Sequence, residues 1–211
     1  NITGSGYKKG TTSASVTLPS GANIYLCNGG DGSGALSSYS WINQQSDGYD
    51  YTSLGYQSSN TCSDSSSSSD IVVGGVAIDT NEYEYFQGTS FVGVSSFSYN
   101  YTVYNTSNVI ISIACGWYGC TSITVPSGCT PLFDATGADK YETTYMAVCY
   151  NQTSGTYTIS GSLSGAGYVS IGIYEFSPFF INPGFSYAIN SSLFNSINLN
   201  GSNVYFTNSS G

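Results

Sequence analysis

Hydrophobic and polar residues alternate with a period of two along much of this chain. The alternation is clear near the N-terminus, where Ala14, Val16 and Leu18 share one face of an extended segment. This period indicates β-strands with one buried face, because successive side chains of a strand point to opposite sides. Strong helix formers are sparse, whereas Val, Ile, Thr, Tyr and Phe dominate. The pattern therefore predicts an all-β protein.

Short clusters of turn-forming residues separate the predicted strands, which is typical of a β-sandwich or barrel. Gly74 and Gly75 are expected to kink one strand or form a bulge in it. Residues 28–38 and 57–70 are expected to be irregular loops. We expect one sandwich domain over residues 21–211, preceded by a tail of residues 1–20. The predicted strands are residues 13–18, 23–27, 71–78, 91–104 (as one strand or two), 109–114, 122–125, 141–150, 156–163, 168–176 and 204–207.

The charge composition excludes several classes of function. The chain has 12 acidic residues, three lysines, no arginine and no histidine, so its formal net charge is -9. Binding to nucleic acid is not expected, because no basic face exists to neutralise phosphates. Without histidine, neither a Ser-His-Asp nor a Cys-His arrangement is possible. We therefore expect a protein that is not an enzyme and binds no cofactor or metal.

Six cysteines indicate disulfide bonds and an oxidising exterior. A zinc site is disfavoured, because two cysteine pairs at metal-ligand spacing, or one pair with histidine, are not present. Six cysteines allow about 15 pairings, among which we favour chain order. The Cys115–Cys120 bond would then close a hairpin around residues 116–119. The favoured bonds are Cys27–Cys62, Cys115–Cys120 and Cys129–Cys149.

Seven Asn-x-Ser/Thr sequences are candidate N-glycosylation sites, and Asn60 begins a rarer Asn-x-Cys sequence. About five matches would arise by chance in a chain so rich in these residue types, so the motif alone has weak specificity. Together with the cysteines, they favour an extracellular glycoprotein carrying N-linked glycans. We also expect no membrane span, because no long apolar stretch is present. The seven asparagines are Asn1, Asn100, Asn105, Asn151, Asn190, Asn200 and Asn208.

The N-terminal tail has two interpretations. Residues 12–18 form a clean alternating strand that Pro19 ends. It is either an ordinary first strand of the sandwich or a donor strand that completes the sandwich of a neighbouring subunit. In the second case, main-chain hydrogen bonds would hold the strand and Ala14, Val16 and Leu18 would fill the neighbour's core. A head-to-tail contact of this kind builds an open filament.

The tail, the sequons, the cysteines and the Ser/Thr/Tyr/Asn-rich β-domain together resemble the subunit of the archaeal thread, an extracellular pilus of thermoacidophilic archaea. Threads are similar to type I pili in donor-strand assembly. The resemblance implies an immunoglobulin-like or pilin-like β-sandwich completed by a neighbour's N-terminal strand, a homopolymer of identical subunits, and a role in adhesion or biofilms. It also implies isopeptide cross-links between subunits, for which the candidate amines are the α-amine of Asn1, Lys8 and Lys9, with Lys140 the remaining lysine.

A monomeric cell-surface adhesin or glycan-binding module is the alternative. Exposed aromatic side chains would form its binding surface, and Trp41, Trp117 and Tyr118 are the candidates. Trp117 and Tyr118 lie between Cys115 and Cys120, at an expected loop tip. The competing interpretation is that these aromatic residues pack in the core.

Overall fold

A computed structural model describes residues 2–31, 42–46, 51–65, 71–79, 84–137, 140–176, 194–200 and 203–208. Every regular element within these residues is a β-strand, so the predicted all-β class is confirmed. The strands are β1 (Ile2–Gly10), β2 (Ser13–Thr17), β3 (Ile24–Asp31), β4 (Ile42–Ser46), β5 (Tyr51–Gln57), β6 (Thr61–Ser65), β7 (Ile71–Ile78), β8 (Glu84–Val103), β9 (Ser107–Gly116), β10 (Cys120–Thr124), β11 (Cys129–Thr136), β12 (Thr143–Gln152), β13 (Gly155–Phe176), β14 (Phe194–Asn200) and β15 (Asn203–Asn208).

The first sheet has the order β1-β7-β3-β5-β4, and all its pairs are antiparallel. Its strand β7 is buried along its whole length. The kink or bulge expected at Gly74 and Gly75 is wrong, because β7 keeps an unbroken register with β3 there. The two glycines instead allow close packing. A Cβ on Gly74 would overlap the Phe133 ring, and one on Gly75 would lie 2.6 Å from Cys62 Sγ.

The second sheet is built on the long hairpin of β8 and β13. On the other edge of β13, β9 pairs with residues 168–176 and β10 with residues 160–163, both antiparallel. Beyond β9 lie β12 and then β11. Because β9 and β10 run in the same direction, the hairpin expected around residues 116–119 is wrong. The Cys115–Cys120 disulfide instead bridges a break between two successive strands.

The β8–β13 hairpin folds back on itself. Val103 pairs with Gly155, yet Ser107, only four residues later, donates a hydrogen bond to Glu175. A straight strand from residue 155 to residue 175 would be about 66 Å long, whereas four residues span at most about 14 Å. The chain therefore bends where the β8–β13 register shifts, near Gly167. This bend creates an inner layer (β9, β12, β11 and residues 84–94 and 167–176) and an outer layer (β10 and residues 96–103 and 155–163).

Among the described residues, three hydrophobic cores lie between four layers formed by strands β1 to β13. The first core, between the first sheet and the inner layer, contains Ile24, Leu26, Val76, Ile78, Ile110, Phe133, Met146, Val148, Tyr174 and Phe176. The second core, between the inner and outer layers, contains Phe97, Tyr101, Val103, Val109, Ile111, Ile113, Cys115, Tyr145, Ala147, Cys149, Ile159, Leu163, Val169, Ile171 and Ile173. The third core, between the first sheet and a small sheet of β2 and β6, contains Ala14, Leu18, Tyr25, Cys27, Cys62, Ile71, Val73 and Ala77.

Several local predictions differ from the structure. Residues 61–65 of the expected loop form β6, whose Cys62 is buried. Strands β1, β4, β5 and β11 were not predicted. The two strands expected over 156–163 and 168–176 are one continuous strand, β13. The loop expected at 28–38 is wrong over residues 28–31, which belong to β3, and its remainder lies outside the described residues. Strands β14 and β15 pair with each other.

Three disulfides are present in the chain-order pairing: Cys27–Cys62, Cys115–Cys120 and Cys129–Cys149. Each has a separate role in the layered stack. Cys27–Cys62 links the first sheet to β6, and Cys129–Cys149 joins opposite residues of β11 and β12.

Candidate functional site

The N-terminal segment, defined here as residues 2–18, covers one side of the first sheet. Its strand β1 pairs antiparallel with β7 and forms an edge of the sheet as described. The chain then turns back, so that residues beyond β1 cross over its face. Gly4 permits this crossing, because a Cβ there would lie 2.6 Å from Pro19 Cγ.

The predicted donor residues face a core, and that core belongs to their own chain. Strand β2 pairs with β6, and the side chains of Ala14 and Leu18 are 5% and 3% exposed. Val16 is half-buried beside them. The alternation in the sequence therefore identified the inward face of the strand. Exchange of this strand between subunits stays a prediction.

The place that receives the segment is a continuous groove. We define the acceptor groove as the edge of β7 that pairs with β1, strand β6 and the buried side chains of Cys27, Cys62, Ile71, Val73 and Ala77. Gly75 forms part of its floor, since a Cβ there would lie 3.0 Å from Leu18 Cδ1. The groove offers main-chain hydrogen bonds at its two strands and apolar contacts between them.

Asn60 holds the end of the segment in this groove. The Leu18 amide donates to the Asn60 carbonyl at 2.8 Å, and Asn60 Nδ2 donates to the Leu18 carbonyl at 3.0 Å. Leu18 is thus fixed through both of its main-chain polar groups. Sequence reasoning considered Asn60 only as a rare glycosylation motif, and in the structure its amide nitrogen is engaged in this contact.

A short connection joins the segment to β3. It runs through Pro19 to Asn23 and contains Gly21, whose φ is +99° and whose surroundings are open to 4 Å. Glycine adopts this left-handed conformation without the steric cost that a side chain would bring. The Tyr25 hydroxyl donates to the Pro19 carbonyl at 3.1 Å and so fixes the start of the connection.

The lysines are exposed. Lys8 and Lys9 lie on β1, and Lys140 lies in the turn before β12. An isopeptide bond needs a neutral amine in a dry site, which burial favours by lowering the pKa of an amine. In the chain as described, these three side chains lack such burial. Asn1 lies outside the described residues, and the isopeptide hypothesis stays a prediction.

Three of the candidate glycosylation sites lie in or beside two turns, β8–β9 and β12–β13. Asn100 and Asn151 are exposed, and Asn105 is half-buried. The side chain of Asn100 accepts a hydrogen bond from Thr158 Oγ1 at 2.8 Å. Asn200 and Asn208 end β14 and β15. Asn190, like Asn1, lies outside the described residues.

A second surface feature is an aromatic cluster at the break between β9 and β10, formed by Trp117, Tyr118 and Tyr141. Trp117 has a φ of +67° and is 45% exposed. The Tyr118 ring makes edge contacts with Trp117 and Tyr141, with centroids 6.2 and 6.0 Å apart. Tyr118 also packs against Gly165, where a Cβ would lie 2.6 Å from its ring.

The backbone around the aromatic cluster is fixed from several sides. The Cys115–Cys120 disulfide closes the loop, and the Gly119 amide donates to the Lys140 carbonyl at 3.1 Å. Lys140 is itself left-handed, with a φ of +68°. Beside the cluster lies a cleft of about 370 Å³, lined in part by Thr121, Thr136, Lys140 and Ser164. The other candidate aromatic residue, Trp41, lies outside the described residues.

The described part of the chain contains no group of His, Cys, Asp and Glu side chains arranged to hold a metal ion. None of its elements is a helix long and apolar enough to cross a membrane. Comparisons with protein-family models, with curated proteins and with solved structures found no match to this chain. Function must therefore be argued from the groove, the surface and the chemistry of the chain itself.

Proposed function

We propose that this protein is the structural subunit of an extracellular filament, in which each subunit donates its N-terminal segment to the acceptor groove of the next. One observation carries the proposal. The segment supplies both an edge strand and buried side chains, yet a single short connection joins it to the rest of the chain. An identical segment from another copy would make the same contacts, so exchange between copies loses none of them.

An empty acceptor groove would be unstable. Without the segment, the edge of β7 would present unpaired main-chain groups, and the neighbouring Ile71, Val73 and Ala77 would lose their cover. An open, apolar strand edge pairs readily with another chain. A filament satisfies this need at every junction, whereas a free subunit satisfies it by closing on itself.

The connection favours exchange. In an exchanged subunit the segment must leave its own groove and extend toward a neighbour, so the change in direction falls on Pro19 to Asn23. Gly21 reorients at low steric cost because it has no side chain. Because the contacts are the same in both forms, the balance between the closed subunit and the filament depends on subunit concentration. A higher concentration favours the filament.

The surface chemistry agrees with an extracellular filament. Three disulfides suit an oxidising exterior. Exposed Asn100 and Asn151 are accessible to glycan attachment. Lys8 and Lys9 lie on the exchanged segment, so they would come to lie at a subunit junction, where an isopeptide link would need them. Adhesion or biofilm formation is the role that such a filament would serve.

A locked variant tests the proposal. Thr17 and Thr61 are opposite residues of β2 and β6, and their hydroxyl oxygens are 3.4 Å apart. Cysteines at both positions, oxidised in dilute solution, would hold the segment in its own groove. The locked protein should form no filaments by negative-stain microscopy, while each single-cysteine variant should still assemble. Filaments from fully locked protein would overturn the proposal, as would filaments from a chain lacking residues 1–20.

The aromatic cluster favours glycan binding as a second candidate function. Exposed Trp and Tyr rings beside hydroxyl groups suit the faces and edges of a sugar ring. Left-handed non-glycine residues cost energy and tend to occur at functional sites, and Trp117 and Lys140 are both of this kind. The locked monomer should then bind neutral oligosaccharides on a glycan array, and Trp117→Ala should abolish binding. An array without signal would contradict this candidate.

A further inference from the structure

Four polar side chains are buried together at one end of the second core. Tyr101 and Ser107 are each 1% exposed, Gln152 is 8% exposed and Glu175 is fully buried. They come from β8, β9, β12 and β13, so the folded hairpin brings distant parts of the chain into one compartment. These four side chains have no role in the proposed filament assembly.

Strand register explains why the four side chains meet. Ser107 lies directly opposite Gln152 in the β9–β12 pair. Opposite residues of an antiparallel pair have Cβ atoms about 4.5–5.5 Å apart on the same face, so the Ser107 hydroxyl and the Gln152 carboxamide are within reach of each other. On the other side of β9, the Ser107 hydroxyl donates to Glu175 Oε1 at 2.8 Å.

The fourth residue acts on the carboxamide. The Tyr101 hydroxyl donates to Gln152 Oε1 at 2.9 Å. Burial raises the pKa of Tyr101 to about 12, although the hydrogen bond to Gln152 opposes this shift. The phenol therefore keeps its proton over a wide pH range and remains a donor to that oxygen.

These contacts are those of a nucleophile with its base, beside a polarised carbonyl. A serine hydroxyl becomes a nucleophile when a neighbouring base removes its proton. A donor aimed at the carbonyl oxygen stabilises the negative charge that develops on that oxygen during attack. The second carboxylate oxygen of Glu175, Oε2, has no hydrogen-bond partner among the described residues, so it is available to carry a proton.

We propose that Ser107 and Gln152 form an intramolecular ester cross-link. Glu175 removes the hydroxyl proton of Ser107, and Oγ attacks Cδ of Gln152. Tyr101 stabilises the negative charge on Oε1 in the tetrahedral intermediate. The bond from Cδ to Nε2 then breaks, and the proton held by Glu175 passes to the departing nitrogen. The products are the Ser107–Gln152 ester and one ammonia, and no external reactant is consumed.

The cross-link would fix the sheet at one of its register shifts. The β9–β12 register shifts between Cys149 and Gln152, immediately beside the proposed bond. A covalent tie there would join the two strands beyond the last regular pair and hold the end of the second core closed. This consequence is independent of strand exchange, so either proposal stands or fails alone.

Mass spectrometry of the full chain tests the ester. We would produce the protein in a bacterial periplasm without N-glycosylation and with its three disulfides intact. The expected mass is that of the sequence less the six hydrogens lost in the three disulfides and less one ammonia, and a peptide map should recover one cross-linked peptide joining β9 to β12. Alkaline hydroxylamine, which cleaves esters, should separate the two halves of that peptide. Wild-type protein at the mass of the disulfide-bonded sequence with no ammonia lost, and with separate β9 and β12 peptides, would overturn the proposal.

Variants identify the residues. No ammonia should be lost from Ser107→Ala, Gln152→Ala or Glu175→Gln. Tyr101→Phe should slow ester formation about a hundredfold. Ser112→Ala, which changes another buried serine of β9, should still form the ester. Asn105→Gln should also form the ester. Because Ser107→Ala also removes the Asn105-Thr106-Ser107 sequon, this variant distinguishes loss of the nucleophile from loss of the sequon. Ammonia loss that persists in Ser107→Ala would indicate a succinimide at an Asn-Gly pair such as Asn28-Gly29 and would contradict the proposal. If a variant fails to fold, the wild-type peptide map still decides.

Discussion

Leu18 is the deepest side chain that the N-terminal segment contributes to the third core, so Leu18→Ala is a direct test of how the segment is held. Its side chain is 3% exposed and packs with Cys27 and Cys62. The substitution leaves the main chain and its contacts with Asn60 in place. The perturbation is therefore confined to apolar contacts and the cavity that remains.

The expected magnitude follows from burial. Leu→Ala substitutions in protein cores cost about 2–5 kcal/mol, with larger values where the cavity cannot collapse. The third core lies beneath only one thin layer of strands, so partial collapse favours a loss of about 3 kcal/mol. In a chain of this size, that corresponds to a fall of about 6–12 °C in Tm. In the filament it corresponds to roughly a hundredfold weaker junction, because the same contact would be made by a neighbour's segment.

Urea unfolding with the disulfides intact measures this loss in the monomer. Val92→Ala is the matched control, since Val92 is 56% exposed on β8 and should change stability by no more than about 0.5 kcal/mol. Filament disassembly by dilution measures the second effect. If Leu18→Ala were no more destabilising than Val92→Ala, the inference that this strand fills the third core would be refuted.

Three further predictions concern Asn60, the disulfide beside the aromatic cluster, and alkaline pH. Asn60→Ala removes the hydrogen bond from Nδ2 to the Leu18 carbonyl and should cost about 1 kcal/mol in urea unfolding, and unchanged stability would contradict its role. Replacing both Cys115 and Cys120 with Ala should lower the free energy of unfolding by about 2 kcal/mol. Trp117 should become more mobile, which lowers the tryptophan fluorescence anisotropy, and an unaltered anisotropy would contradict the claim that the disulfide fixes this loop. Because the folded state raises the pKa of Tyr101 from 10.0 to about 12, stability should be complete below pH 10 and fall as pH rises toward 12. Tyr101→Phe should reduce that fall in urea unfolding at pH 9 and 11, and an identical fall would refute the cause.

Local pattern predicted the parts of this fold that depend on one strand at a time. Alternation identified the inward residues of β2 correctly, because a half-buried strand must present apolar side chains to one face. Chain order matched the three disulfides. Strand β6 was missed because Ser63 and Ser65 face solvent and the polar run around them resembles a loop.

Features that depend on long-range packing could not be read from the pattern. Gly74 and Gly75 looked like a kink, yet Phe133 and Cys62 from other strands determine why side chains are excluded there. The bend in the β8–β13 hairpin is set by packing of the outer layer on the inner layer, and no single residue in the sequence predicts it. The buried cluster around Ser107 was missed for the same reason, because its four members come from four strands.

Strand exchange between subunits is the central claim. Mixing two proteins that each carry one added cysteine tests it most directly. One carries Thr17→Cys on β2 and the other carries Thr61→Cys on β6, at positions that face each other. After assembly and mild oxidation, exchange predicts a disulfide between the two different chains in non-reducing gels. A mixture of Thr17→Cys with Ser122→Cys, an exposed position on β10, is the control and should give no specific product. Filaments that form without any Thr17→Cys to Thr61→Cys cross-link would contradict the account.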